Sequence, residues 1–338
     1  MIVTLTANPS IDRTVVLDTE LVRGGVHRAR ASVSDPGGKG VNVARVLTAS
    51  GVQAMAVLPA SEHDPLLEAL SDKGVRYCAV PTGALARTNI TVSEPGGVTT
   101  KINEPGAELS EAARTELFET VVDLGRDATW VALSGSLPPG IPVGWYGELV
   151  AALKSTTACK VAVDTSDAPL LALAASFPHS APDLIKPNSE ELSQLTGADA
   201  ENLERAAAAG DPTAAIDASR ILLERGVGAV LATLGSAGAV LVTQEGAWFA
   251  SPPKIDAIST VGAGDSSLAG YILADIERCP PADLIRRAVA YGTAATALPG
   301  TTLPTPEQTR PDSVTVEAVQ SPNSHNPQPS PSSKTLTS

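Results

Sequence analysis

A chain of 338 residues allows one large domain or two smaller ones, at roughly 150 residues per domain. Hydrophobic residues make up 43% and charged residues 18%, which supports a packed core and excludes a wholly disordered chain. The formal net charge is −13, from 24 Lys and Arg against 37 Asp and Glu. The chain thus lacks the basic surface that sequence-independent nucleic-acid binding needs, yet it can still hold a small phosphate ester on a few cations and amides. Aromatics are 3%, so the core is expected to be aliphatic and alanine-rich. Cys78, Cys159 and Cys279 are scattered and show no CxxC spacing, which points to reduced thiols of a cytoplasmic protein rather than a disulfide framework or a zinc site. His27, His63, His179 and His325 show no metal-ligand spacing. Met1 to Thr6 carries no basic leader, and no apolar run approaches the ~20 residues that span a bilayer, so no membrane partner is expected.

In chain order, Ile2 to Thr6 predicts a buried strand that ends at Ala7-Asn8-Pro9. Thr14 to Leu17 and about Val26 to Val33 alternate as half-buried strands. Asp35-Pro36-Gly37-Gly38-Lys39-Gly40 reads as a loop, followed by a helix from Val41 up to Gly51. Strand, helix and strand follow at Ala54 to Leu58, Pro65 to Leu70 and Val75 to Val80. A second alternating pair, Thr88 to Ser93 and Val98 to Ile102, is joined by the hairpin signal Glu94-Pro95-Gly96-Gly97. Strand-like runs then recur at Trp130 to Leu133, Lys160 to Val163, Asp183 to Ile185 and Val227 to Thr233, with helical runs such as Glu111 to Leu124 and Ala214 to Glu224 between them. This rhythm predicts an α/β body with a parallel sheet covered on both faces. The alternating pieces are expected to form a small β lid on it. Past Arg310 the composition turns to Ser and Pro, and 311–338 is expected to be a disordered tail.

Four strings could carry chemistry. Thr260-Val261-Gly262-Ala263-Gly264-Asp265-Ser266 leads into an apolar helical run. Glycines at a loop-to-helix junction aim backbone N–H groups outward, and the helix dipole adds positive potential, so the junction suits an anion. An aspartate inside such a nest makes sense as a base that takes a proton from a hydroxyl, or as a plain N-cap. Gly37-Gly38-Lys39-Gly40-Val41-Asn42 is not a Walker A loop, since GxxxxGK[ST] occurs nowhere; it allows close approach to a polyhydroxylated ligand or is a simple turn. Asp12, in Asn8-Pro9-Ser10-Ile11-Asp12 at the end of the first strand, could accept sugar hydroxyls or cap a turn. Asn188 and Glu191, at N-x-x-E spacing, could hold the water shell of Mg²⁺ or form a helix cap with acidic first-turn residues. Thr233-Leu234-Gly235-Ser236-Ala237-Gly238 is a further strand-end glycine turn.

These strings, in this order, resemble the PfkB-type carbohydrate kinases of the ribokinase superfamily over about residues 1 to 305. The segments TANPSIDRTV, DPGGKGVNVARVL, ARTNITV, TKINEPG, LSGSLPPG, LIKPNSEEL and STVGAGDS carry the likeness. The resemblance implies a three-layer α/β/α sandwich over 1–310 with lid segments at about 13–33 and 87–103. It implies ATP-dependent, Mg²⁺-assisted transfer to D-fructose 1-phosphate at the 6-hydroxyl, with tagatose 6-phosphate or fructose 6-phosphate as alternative acceptors and a non-catalytic sugar-phosphate sensor as a distant one. Asp265 would be the base and the amides of Gly262, Ala263 and Gly264 the anion hole. Asp12, Gly38, Lys39 and Asn42 would hold the sugar. Lys186, Asn188, Thr233, Gly235, Ser236, Gly238 and Thr293 would line the nucleotide, Asn188 and Glu191 would position Mg²⁺ through water, and the Ser259 and Val261 oxygens would take a monovalent cation such as K⁺. A substrate that already carries phosphate needs a cationic grip, for which Arg87 comes first and Arg28 second, with Ser136 assisting. A homodimer through the lid is expected, because lid edges invite pairing.

Overall fold

The computed structural model describes residues 1–319. Its larger sheet has ten strands: β1 (Ile2–Leu5), β4 (Ala54–Ala60), β5 (Arg76–Pro81), β8 (Trp130–Ser134), β9 (Lys160–Asp164), β10 (Leu184–Ile185), β11 (Ala229–Thr233), β12 (Ala239–Thr243), β13 (Gly246–Ser251) and β14 (Thr315–Val319). They lie in the order β14-β13-β12-β11-β10-β9-β8-β1-β4-β5. The smaller sheet, in the order β3-β2-β6-β7, consists of β2 (Ser10–Val16), β3 (Ala31–Gly37), β6 (Arg87–Ser93) and β7 (Thr99–Asn103).

The strands from β5 through β11 are parallel, as the apolar runs predict. Side chains alternate between the two faces along each strand, and both faces are covered. On one, Ile2, Ala56, Trp130 and Leu231 pack with α1 (Lys39–Ala49), α2 (Pro65–Asp72), α9 (Ala263–Ile276) and α10 (Pro281–Thr296). On the other, Val3, Val131 and Val163 pack with α3 (Glu111–Gly125) and α4 (Trp145–Thr156). Ile185 and Val230 on that face pack against α5 (Asp167–Ala175), α6 (Ser189–Thr196), α7 (Ala200–Ala208) and α8 (Thr213–Glu224). Among the described residues no helix is long and apolar enough to cross a membrane.

Four expectations are corrected. The sheet is mixed, because β12, β13 and β14 run antiparallel at one end. The chain stays ordered past Arg310: β14 pairs along β13, so a tail cannot begin at 311, and its remainder from 320 lies outside the described residues. The strand expected from Val26 begins only at Ala31, and it runs through Asp35 to Gly37, which therefore belong to the lid rather than to a loop. The lid, expected from about residue 13, begins at Ser10, so that Ser10 to Asp12 open β2.

The two sheets meet where the chain leaves β1. Strand β1 is flanked by β4 on one side and β8 on the other, so successive connections depart in opposite directions and leave a crevice at its carboxyl end. Helix α1 closes onto this point through Gly40, where an added Cβ would lie 2.4 Å from the Leu5 carbonyl oxygen. Gly40→Ala is therefore expected to destabilise the fold by about 1–3 kcal/mol through overpacking. A urea or thermal midpoint equal to that of the wild type would show that the α1–β1 contact is looser than drawn.

Candidate active site

Asp265 sits in the first turn of α9 and is 6% exposed. The helix starts at Gly262, whose φ of 76° favours glycine. The Ala263 amide makes only a long 3.4 Å contact with the Thr260 carbonyl, and the amides of Gly262, Gly264 and Asp265 find no acceptor among the described residues. Such a cluster of open N–H groups at a helix N-terminus is an anion site. Asn42, on α1, donates through Nδ2 to Asp265 Oδ2 at 2.9 Å. Burial and the nearby Asp164 push the Asp265 carboxyl up to about 6, against the pull of Lys39, the Asn42 hydrogen bond and Lys186. A carboxylate that titrates there can take a proton near neutral pH.

Beneath it, Asp164 ends β9 with no side-chain exposure and bridges two ammonium groups, Lys39 at 2.8 Å and Lys186 at 3.1 Å. Burial raises its carboxyl, but Lys186 and Lys39 outweigh that and hold it below the ordinary carboxylate range. Burial opposes the Lys39 charge, yet Asp164, Asp265 and Glu191 together hold the ammonium above its usual value. Lys186 is 4% exposed, and its Nζ lies against Gly264, where an added Cβ would come within 3.1 Å. One cation, Lys186, thus stands beside the open amides, and Lys39 shares its carboxylate.

On the lid side, Asp12 accepts from Ser10 Oγ at 2.7 Å and from Asn89 Nδ2 at 3.0 Å. Gly37 leaves room for the Asp12 carboxylate, and Gly38, at φ 104°, passes so close to Thr6 that a Cβ would meet its methyl at 2.5 Å. Asn8 donates to Ser136 Oγ at 3.3 Å and to the Pro105 carbonyl at 3.0 Å. The Arg87 guanidinium donates to the carbonyls of Glu104 at 2.9 Å and Asn8 at 3.3 Å, while its buried Nε has no partner. Arg28 is not gathered here: it is exposed in the irregular stretch ahead of β3.

The remaining residues form the flank beyond β10 and β11. Asn188 and Glu191 form a reciprocal capping box at the start of α6: Asn188 Oδ1 accepts from the Glu191 amide at 2.8 Å, and Glu191 Oε2 from the Asn188 amide at 2.9 Å. The cap leaves one Glu191 carboxylate oxygen for a hydrated cation, and burial raises that carboxyl. Among the described residues no three His, Cys, Asp or Glu side chains converge as a metal cluster. Thr233 bridges to Asn188, and Gly235, Ser236 and Gly238 form the turn into β12. Thr293 lies on α10, which packs along α9. The Ser259 hydroxyl donates to the Gly300 carbonyl at 3.0 Å and accepts from the Val261 amide at 3.2 Å, so the main-chain oxygens of these two residues, with one hydroxyl lone pair, remain for a cation.

The sequence reading missed Asp164, Asn8 and Asn89. Asp164 carried one usable signal, a charged residue that closes the buried apolar run Val161-Ala162-Val163.

A twisted sheet covered on both faces, with a β lid over its carboxyl edge and a glycine-opened helix beneath, defines a ribokinase-fold kinase. The model of the pfkB family of carbohydrate kinases matches residues 5–308. A 1-phosphofructokinase from Rhodobacter capsulatus is 37% identical over 91% of this chain and 94% of its own. One from Xanthomonas campestris is 35% identical over 82% of this chain and 86% of its own. The crystal structure of phosphofructokinase-2 from Escherichia coli in complex with substrates and products superposes with a TM-score of 0.81 at 31% identity, over 91% of this chain and 96% of that one. The chain belongs to the pfkB family of carbohydrate kinases.

Proposed function

We propose that the chain transfers the terminal phosphoryl group of ATP to the 6-hydroxyl of D-fructose 1-phosphate, giving fructose 1,6-bisphosphate and ADP. The observation that carries the chemistry is the Asp265 carboxylate, titrating at about 6 beside open helix-terminal amides. The similarity to 1-phosphofructokinases favours fructose 1-phosphate as acceptor.

Asp265 takes the hydroxyl proton as the new oxygen–phosphorus bond forms and the bond to ADP breaks. The amides of Gly262, Ala263 and Gly264 face the charge spread over the migrating group, so the protein works by position and electrostatics. Asp12, Gly38, Lys39 and Asn42 hold the sugar. Lys186, Thr233, Gly235, Ser236, Gly238 and Thr293 line the nucleotide. Mg²⁺, held through water by Glu191 and Asn188, would neutralise phosphate charge, and the main-chain oxygens of Ser259 and Val261 would hold K⁺.

Arg87, with Ser136, grips the phosphate already on the sugar, and Arg28, exposed away from these groups, is set aside. Arg87→Ala is expected to raise the KM for fructose 1-phosphate by about 10–100-fold, the worth of a hydrogen bond to a charged group. An equal rise for unphosphorylated fructose would remove the grip. The lid exposes Ile102 on β7, in register with Ile90 on β6, and this exposed face supports a homodimer formed through the lid.

The second reading, a kinase for fructose 6-phosphate or tagatose 6-phosphate, draws on the likeness to phosphofructokinase-2 and keeps the same site. Purified enzyme assayed with the three phosphosugars decides between them. The highest kcat/KM is expected for fructose 1-phosphate; preference for another sugar reassigns the acceptor, and no ADP release with any of them leaves the sensor.

A further inference from the structure

Behind Asn42 lies a second layer of buried charge that the proposed chemistry does not use. Arg45, one turn along α1 and 9% exposed at its side chain, donates through one nitrogen to the Pro36 carbonyl at 3.0 Å and to Asn42 Oδ1 at 3.3 Å. Its other terminal nitrogen lies 3.6 Å from Asp35 Oδ1. Asp35 is held in turn by Thr301 Oγ1 at 3.0 Å and by Lys73 at 3.0 Å. It stands near the end of lid strand β3, in register with Asp12 on β2. One chain of contacts therefore runs from the lid, through Asp35, Arg45 and Asn42, to Asp265.

A carboxamide has a donor end and an acceptor end of almost the same shape. Nothing in the Asn42 side chain alone decides which end meets Asp265. If the oxygen faced it, Asn42 would repel the ionised carboxylate and accept a hydrogen bond from the neutral acid. A guanidinium on the oxygen leaves only the NH₂ for Asp265, and that end favours the ionised form.

We infer that Arg45 is a positioning residue: it locks the Asn42 carboxamide with its NH₂ toward Asp265, keeping the base ionised, and Asp35 anchors it from the lid. The inference rests on Asp265 being the base. The charged groups facing Asp265 are Lys39 from α1, Asp164 from β9 and Lys186 beyond β10; those facing Arg45 are Asp35 and Asp12. None of these would restore the amide orientation once Arg45 is gone.

The test is the pH profile of kcat at saturating ATP and fructose 1-phosphate for Arg45→Gln and Arg45→Lys, each also in an Asn42→Ala background. Arg45→Gln is expected to lower kcat about tenfold at neutral pH and to move the acid limb to higher pH. The same change in the Asn42→Ala background is expected to cost less than about threefold, because a residue that acts through another loses its effect with it. Arg45→Lys keeps a charge beside Asp35 but cannot span Pro36, Asn42 and Asp35 at once, so an intermediate shift is expected; it decides the matter if Arg45→Gln does not fold. Equal losses in both backgrounds, or an unmoved limb in the variants that fold, would overturn the inference. Failure of the base itself shows separately, as a full kcat in Asp265→Asn.

Discussion

Asp265→Asn is expected to lower kcat by about 10²–10⁴-fold, the range for loss of a positioned base, and to leave the KM for the sugar close to that of the wild type. The substitution keeps the side chain's size, and its carbonyl oxygen can still accept from Asn42. The amides at the start of α9 stay open, because they belong to the backbone and to Gly262's φ of 76°. What disappears is the group that accepts the hydroxyl proton while the phosphoryl group moves. Residual activity then measures what the amides and the two lysines contribute by themselves. Steady-state kinetics with fructose 1-phosphate and ATP give the answer. A variant with undiminished kcat would take Asp265 out of the base role, whatever its burial.

The second large effect concerns Asp164. Replacing it by Ala strands the Lys186 ammonium, which is 4% exposed, without its carboxylate. Removing one partner of a buried pair costs about 3–5 kcal/mol, since the remaining charge keeps its desolvation penalty. Lys39 is more exposed, at 36% of its side chain, and suffers less. The unfolding midpoint in urea should fall accordingly, and Asp164→Asn, which keeps acceptor capacity, should fall less. The pair also fixes the sign of the acid response. With its carboxyl held below the ordinary range, Asp164 stabilises the fold above the unfolded value, and that contribution is lost as pH falls through the folded one. An Asp164→Ala protein as stable as the wild type would mean that Lys186 finds another partner or sheds its proton.

The two substitutions differ in how visible their residues were. Asp265 lies inside a local pattern, glycines before a helix, whose physics is complete within a few residues. The parallel strands were legible for the same reason, since burial on both faces writes a continuous apolar run into each, as in Val161-Ala162-Val163. Asp164 became a site residue only when the fold brought lysines from α1 and from beyond β10 onto one carboxylate, and no spacing rule contains that meeting. Strand β14, TVEAV, is a five-residue edge lying just ahead of a Ser- and Pro-rich run, so composition placed it in a tail while its ladder with β13 holds it in the sheet. The lid register hid Asp35 in a presumed loop, and with it the contact to Arg45. Asn188 and Glu191 mark the limit of local patterns: N-x-x-E spells a capping box and a hydrated-cation site alike, and the capping box is formed.

The account turns on a carboxylate ionised near neutral pH at the mouth of open amides. A sugar phosphate also titrates near pH 6, so kcat/KM would mix the two groups, and kcat at saturation is the cleaner readout. Measured across the acid range, wild-type kcat is predicted to fall in inverse proportion to proton concentration below a midpoint of about 6, as Asp265 gains its proton. The residual kcat of Asp265→Asn is predicted to lack that limb. A wild-type profile flat through the same range, or an unchanged limb in Asp265→Asn, would contradict it.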